Sequence, residues 1–337
     1  MWTRRSFLTT ASAALAVGCS SPRSGIQWAT QLNWLHDPTF VAHYRLAASD
    51  PRFPVREGGP TVFPLQSVAG GLSKAAICGI DIFLKHLAER LAARERPSLR
   101  AIFCDFQRNP VGWVLHPDAA AALGLPLTAY ASGDPSARAL LFDRLREGRL
   151  RLGDKVGTET TSILRAWTRR VGLEGRARVT PVGFDASIVL GAPALLFPVY
   201  LNEEPFRLEE QIGQPLLIVD PVVDGIVLYG NIVVSDDGDA DVNDYIRGLR
   251  AAWEWSRDNP RPAADLVAGY YKAVGGSALQ RQIQKTVEFA SGATFGEFDL
   301  SPNGRLAQTV DILKLGGTLP STLDLNMVSE FFRVGNA

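Results

Sequence analysis

Apolar runs of strand length alternate with stripes at helical spacing along this 337-residue chain, and no other feature restricts its fold as much. Residues 26–32, 62–65, 75–78, 99–103 and 113–115 are short, apolar and bounded by Gly, Pro or Asn, which predicts strands. Leu84, Leu87 and Leu91 repeat at helical spacing between them. A second set begins near Gly124. Residues 154–157, 178–182 and 195–201 read as strands, and Ile163, Leu164, Trp167 and Val171 form a helical stripe. After Asn231 the pattern is mainly helical: Val242, Ile246, Leu249 and Trp253 share one stripe that Asn259-Pro260 ends, residues 264–271 continue the helical region, and Ile283 with Val287 marks another stripe. The alternation predicts an α/β architecture with a largely parallel sheet. Residues 126–148 are more polar and loop-like at their start, an insert that decorates the second half.

The N-terminal residues carry an address. Thr3-Arg4-Arg5-Ser6-Phe7-Leu8 matches the twin-arginine export pattern, and the weakly apolar run that follows, of about ten residues, is too short to span a bilayer. Leu15-Ala16-Val17-Gly18-Cys19 looks like a bacterial lipobox, with Ala16 where Leu is more usual. Cleavage would remove residues 1–18 and leave Cys19 to carry acyl chains, enough of them for stable anchoring. An ordinary Sec signal with an incidental Cys is the plainer alternative. A body of about 320 residues would remain, enough for two lobes of ordinary domain size.

Composition narrows the function. Acidic and basic side chains balance at 35 each. The Arg-rich stretches 90–100 and 138–151 are interleaved with Glu or Asp, so they read as solvated helix faces and not as a nucleic-acid footprint. Cys78 and Cys104 lie inside apolar strand-like runs, where a free thiol behaves as a small buried hydrophobe; a disulfide between them in an oxidising compartment is the other possibility. The four His residues are scattered, and no CxxC or HExxH motif is present. Neither a metal site nor a cofactor is expected.

Four segments in order resemble the exported substrate-binding proteins of ABC importers, in the branch serving thiamine-pyrimidine precursors, riboflavin, nitrate and sulfonates. They are Gln31-Leu32-Asn33-Trp34-Leu35-His36-Asp37-Pro38-Thr39-Phe40 with the helix start that follows; Val68-Ala69-Gly70-Gly71 through Ile77-Cys78-Gly79-Ile80-Asp81; Phe106-Gln107-Arg108-Asn109-Pro110-Val111-Gly112-Trp113; and Tyr200-Leu201-Asn202-Glu203-Glu204-Pro205 followed by Tyr229-Gly230-Asn231. Two departures stand out. Val41-Ala42-His43 replaces the two glycines common in helix one, and the insert lengthens the entry into lobe two. The resemblance implies a type II periplasmic-binding-protein fold, two α/β lobes joined by a two-segment hinge. Lobe one would comprise residues 26–116 and 231–337, and lobe two residues 117–230. Interlobe clefts are preferred small-molecule sites, and closure about a hinge is the expected motion.

Residues that could serve such a cleft follow from their chemistry. Trp34, beside Asp37 at a strand end, offers an aromatic face to a planar heterocycle, or else pins helix one to the sheet. Phe40 and Tyr44 lie four apart and share a helix face. Gln107 and Asn109 can both donate to and accept from ring nitrogens and exocyclic groups. Thr158 and Glu159 stand at a helix N-terminus, where an acceptor could bind and where capping is the commoner use. Asn202, Glu204 and Tyr229 belong to the family-like segments. If the backbone is extended there, Glu203 and Glu204 face opposite sides, and Glu204 is the one expected in the site.

The resemblance implies a protein of the cell envelope, not an enzyme, that captures a small planar nitrogenous compound such as a thiamine pyrimidine precursor or a flavin-like molecule. Its partners would be the small-molecule ligand, an ABC permease and, through the lipid anchor, the membrane, with no nucleic acid and with the chain a monomer. A sulfonate- or nitrate-binding protein of the same fold is the alternative. A ligand-sensing adaptor and a pyrimidine-synthase-like enzyme are more distant readings, the last lacking here the Cys-rich stretch such enzymes use.

Overall fold

The computed structural model describes residues 28–128, 130, 133–236 and 240–333. The expected export signal, residues 1–18, and the lipidation candidate Cys19 lie outside them. The strands form two five-stranded sheets. In the first, β1 (Thr30–Gln31), β2 (Val55–Arg56), β3 (Ala75–Gly79) and β4 (Leu99–Cys104) are joined by β10 (Asn231–Asp236), in the order β2-β1-β3-β10-β4. In the second, β5 (Val111–Leu115), β6 (Arg151–Asp154), β7 (Val179–Pro181), β8 (Leu195–Tyr200) and β9 (Leu217–Val219) take the order β7-β6-β8-β5-β9. Each sheet has one strand in fourth place that runs antiparallel to both neighbours: β10 in the first, β5 in the second. These are the two strands by which the chain enters each sheet after crossing from the other. This is a type II periplasmic-binding-protein fold of two α/β lobes.

The first crossing falls earlier than the sequence suggests. Residues 113–115 read as a strand of lobe one, yet β5 pairs with β8 and β9, so the chain leaves the first sheet at residues 105–110 and not at 116. Hydrophobic periodicity identifies a strand but carries no information on which sheet accepts it. Residues 62–65 are also not a strand; Pro64 opens the short helix α2 (Pro64–Ala69), as Pro does at a first helical turn. Part of the insert is helical as well: α5 (Pro135–Arg146) starts from an Asp134 cap whose carboxylate accepts from the Ser136 amide at 2.9 Å.

The two crossings run side by side as a short ladder. Phe106 N donates to Asn231 O at 3.0 Å, Gly230 N to Phe106 O at 3.0 Å, and Asn109 N to Leu228 O at 2.9 Å. A Cβ at Gly230 would stand 2.9 Å from Phe106 Cβ and 3.2 Å from the Asn109 Cα, so the close approach requires glycine. Asp105 anchors the ladder's start. Its carboxylate accepts from Trp253 Nε1 at 3.2 Å and lies 2.9 Å from His43 Nε2, all three buried.

The helices cover the sheets as the apolar stripes require. In lobe one, α3 (Ile80–Ala92) buries Phe83, Leu84 and Leu87. The long α8 (Val242–Asp258) buries Ile246, Leu249 and Trp253 and packs on α1 (Val41–Ser49). In lobe two, Trp113 of β5 stacks on Trp167 of α6 (Glu159–Arg170) at 5.2 Å and donates its Nε1 to Gly153 O at 3.0 Å. Truncating either buried indole to Ala would cost about 3–5 kcal/mol. The C-terminal part does not belong to lobe one alone, because α11 (Arg305–Leu315) lies on α6, where Arg169 Nη1 donates to Leu315 O at 2.6 Å. Cys78 and Cys104 are free. Both stand in register with Ile232 from opposite sides, about 10 Å apart at two strand spacings, too far for a disulfide. Among the described residues no helix is long and apolar enough to cross a membrane.

Candidate functional site

A cavity of about 1070 Å³ opens between the lobes. Lobe one contributes the loop after β1, the approach to α2 and the β3–α3 junction; lobe two contributes the β6–α6 loop, Phe184 and the β8–α7 junction. Of the residues singled out in the sequence, Trp34, Asp37, Phe40, Thr158, Glu159 and Glu204 line it. All sit where a strand gives way to a loop or helix, which is why sequence could find them.

Trp34 is half-buried, and its ring meets Phe184 of the opposite lobe at 5.0 Å with planes inclined at 43°. Phe184 was not foreseen: it lies in a loop after a short exposed strand, with no local pattern to mark it. Phe40 and Tyr44, expected to complete the aromatic wall, are packed instead. Phe40 reaches the cavity edge but is only 1% exposed. Tyr44 does not line the cavity; its ring stacks on Tyr270 at 4.2 Å, and its hydroxyl accepts from the Asp37 amide at 3.2 Å and lies 3.0 Å from His36 Nδ1. It supports the loop that carries Asp37.

Three carboxylates stand together on one side. Asp37 caps the turn at Pro38–Phe40, accepting from the Thr39 amide at 2.7 Å. Burial pushes its carboxyl up to about 7, with Glu204 contributing repulsion. Glu203 is also in the cavity wall, which corrects the expectation that only Glu204 would be. The alternation argument assumed extended backbone, but Glu203 caps α7 (Glu204–Ile212) with φ −128° and ψ −77°, so both side chains turn inward. Burial, with repulsion from Glu204 and Asp37, raises Glu203 to about 8 although the Tyr271 hydroxyl donates to it. Glu204 is held by Lys155 Nζ at 3.2 Å and by the Tyr200 amide at 2.7 Å. Lys155 is itself nearly buried. Removing one member of such a pair would cost about 3–5 kcal/mol by stranding the other.

The floor of the cleft lies at the hinge. Glu159, first residue of α6, accepts from Asn109 Nδ2 at 2.9 Å, and Asn109 Oδ1 accepts from the Val111 amide at 2.9 Å. Asn109 therefore orients Glu159 from behind and does not line the cavity. Thr158 caps α6 through its side chain, accepting from the Thr160 amide at 3.3 Å, and donates to Lys155 O at 2.7 Å; capping is the role the structure gives it. Asp81, missed in the sequence, also lines the cavity.

Gln107, Asn202 and Tyr229 lie outside the cavity lining. Gln107 Nε2 donates to Glu297 O at 2.7 Å. Asn202 is fully buried and its Nδ2 donates to Thr286 Oγ1 at 3.0 Å and to Thr39 Oγ1 at 3.3 Å. The Tyr229 hydroxyl accepts from the Asp299 amide at 2.7 Å. These three tie the lobes and the C-terminal segment together.

Carboxyl groups dominate the titratable lining. Six carboxylates (Asp37, Asp81, Glu89, Glu159, Glu203 and Glu204) face three fixed cations (Lys85, Lys155 and Arg207), together with His36 and His86. Such a site favours a ligand that brings positive charge or hydrogen-bond donors, because carboxylates accept and the ionised form gains from a cation in low dielectric.

No protein-family model matches the sequence, and no curated protein does. Solved structures do match in fold. The alkanesulfonate-binding protein SsuA of Xanthomonas axonopodis pv. citri, bound to MOPS, is 14% identical over 92% of this chain and 99% of its own, with a TM-score of 0.56. An ABC transporter structure from Parabacteroides distasonis is 12% identical, covering 89% of this chain and 100% of that one at a TM-score of 0.56. A Candida albicans protein described as exhibiting the generic periplasmic binding protein fold is 11% identical, covering 92% and 96%, at a TM-score of 0.54. At these identities the likeness is one of fold. It places the chain in the class of two-lobed binding-protein folds, with the cavity where such folds hold ligands.

Proposed function

We propose that this chain is the ligand-capturing component of an ABC importer, exported by its twin-arginine leader and tethered through Cys19. We further infer that it takes a small planar nitrogenous compound, of the aminopyrimidine or flavin-like kind, in the interlobe cleft. The observation that carries this reading is the pairing of Trp34 with Phe184 beside Asp37, Glu203 and Glu204. An aromatic ring can slide between or against two faces supplied by different lobes, while its amino groups or protonated ring nitrogen meet the carboxylates. A sulfonate, the ligand class in the description of the Xanthomonas protein, or nitrate finds support in Lys155 and Arg207, but Lys155 is engaged by Glu204.

A thermal-shift panel of aminopyrimidines, flavins, sulfonates and nitrate tests the reading. A ligand at about 100 times its Kd stabilises the native state by about 2.7 kcal/mol, a shift of several degrees. Stabilisation by a nitrogenous heterocycle is expected; stabilisation by a sulfonate or nitrate alone would replace the reading with the anion alternative. Tethering is checked separately, by palmitate label on the wild type that Cys19→Ala lacks.

A further inference from the structure

Asp81 and Glu159 form a second polar centre in the same cleft, built from both lobes. Asp81 is in the first turn of α3 and Glu159 opens α6. Both line the cavity, and they are only 6% and 8% exposed. Glu159 Oε2 has Asn109 as donor, and Asp81 Oδ2 accepts from Ser162 Oγ at 3.3 Å. Asp81 Oδ1 is buried and makes no hydrogen bond of good geometry, although the amides of Ile82 and of Asp81 itself stand near enough to the carboxyl to favour its ionised form. A Cβ on Gly79 would stand 2.7 Å from that oxygen and 3.4 Å from Glu159 Oε2, so the glycine leaves open the space the two carboxylates share.

Among the described residues no lysine forms a salt bridge with either carboxylate, and Lys85 and Lys155 act on the pair only as more distant charges. Lys155 is held by Glu204, and Lys85 is an exposed side chain lying 3.9 Å from Glu89. A buried carboxylate oxygen without a well-aligned donor is costly, and two carboxylates that share one site repel; Glu159 is raised to about 8 by burial and by Asp81. A protonated amine removes both penalties, since it carries three donors and a positive charge.

We propose that the Asp81–Glu159 pair takes a protonated amino group of the ligand, so that the ligand carries two basic nitrogen groups, one at this pair and one at Asp37, Glu203 and Glu204. The proposal rests on the reading of the cleft as a site for a nitrogenous ligand. Because Asp81 belongs to lobe one and Glu159 to lobe two, the amine would also bridge the lobes and favour the closed state.

Titration calorimetry with matched probes tests this. 4-Amino-5-aminomethyl-2-methylpyrimidine and its 5-hydroxymethyl counterpart differ only in the second basic group. The wild type is expected to prefer the aminomethyl compound by about tenfold or more. Asp81→Asn and Glu159→Gln, each checked for an intact melting transition, should lose that preference. Equal binding of the two compounds by the wild type, or a preference that survives in both variants, would overturn the proposal. 1,4-Diaminobutane against 1-aminobutane forms the second arm. If neither pyrimidine binds but the diamine is preferred and Asp81→Asn abolishes the preference, the two-headed site stands and only the pyrimidine assignment falls. If the diamine too shows no preference, the site itself is wrong.

Discussion

Trp34 of the first lobe and Phe184 of the second meet across the cleft with ring centroids 5.0 Å apart. Neither is locked in a core: Trp34 is half-buried and Phe184 is 49% exposed. An exposed aromatic pair with one ring from each lobe is the arrangement that the proposed ring-binding role requires.

Trp34→Ala and Phe184→Ala should each weaken ligand binding by about 0.5–1.5 kcal/mol, the usual worth of an aromatic pair beyond its buried area. Phe184→Ala should leave the ligand-free melting temperature nearly unchanged, since exposed substitutions usually stay within about 0.5 kcal/mol. Calorimetry for affinity and a melting curve without ligand separate the two effects. A Trp34→Ala protein that melts far lower yet binds with wild-type affinity would make Trp34 a packing residue.

The carboxylates of the cleft should leave a signature in pH. Glu203 is raised from 4.5 to about 8 and Asp37 from 3.8 to about 7. A raised acid holds its proton in the folded chain after the unfolded chain has lost it. The folded state thus binds more protons between the two values, and its stability falls as pH rises through that window. The benefit is fully present below the unfolded pKa and is lost above about 8 for Glu203. Glu203→Gln should therefore gain in melting temperature relative to the wild type as pH is raised from roughly 5 to 8. A difference that is flat across this range, or that grows toward acid, would contradict the assignment. Binding of a cationic ligand should release protons in the same window, read as a dependence of the calorimetric heat on buffer ionisation enthalpy.

The insert of lobe two is fastened by one buried carboxylate. Asp224 accepts from Trp167 Nε1 at 2.7 Å and from the Tyr130 hydroxyl, and it pairs with Arg138 of α5. Asp224→Ala removes the acceptor and strands a cation, which should cost about 3–5 kcal/mol. Urea unfolding would show this as a lower midpoint, and hydrogen exchange should rise first in α5. Unchanged exchange in α5 would mean that its apolar contacts, through Leu141 and Leu145, hold it alone.

Part of the cavity lining is legible in the sequence because strand ends announce themselves. Trp34, Asp37, Thr158, Glu159 and Glu204 all follow short apolar runs. What could not be read depends on three-dimensional closure. Phe184, Lys155, Asp81 and Tyr271 reach the cavity from segments whose local pattern says only loop, helix or strand end, and their proximity is set by how the lobes face each other. Two-residue alternation turns Glu203 away from the site, and it fails because the backbone there bends into a helix cap. For the same reason of scale, residues 113–115 were identified as a strand but given to the wrong sheet: β5 pairs with β8 and β9, which come much later in the chain. Gln107, a hydrogen-bonding amide by its chemistry, and Asn202 and Tyr229, candidates through the family-like segments, bond to protein groups and lie outside the cavity lining.

The most direct test of the central claim is native mass spectrometry of the protein purified from the cells that make it, followed by release and identification of whatever small molecule it retains. A planar nitrogenous compound bearing basic groups, present on the wild type and depleted on Trp34→Ala, is the expected result. Retention of a sulfonate or another anion, undiminished by Trp34→Ala, would contradict the account.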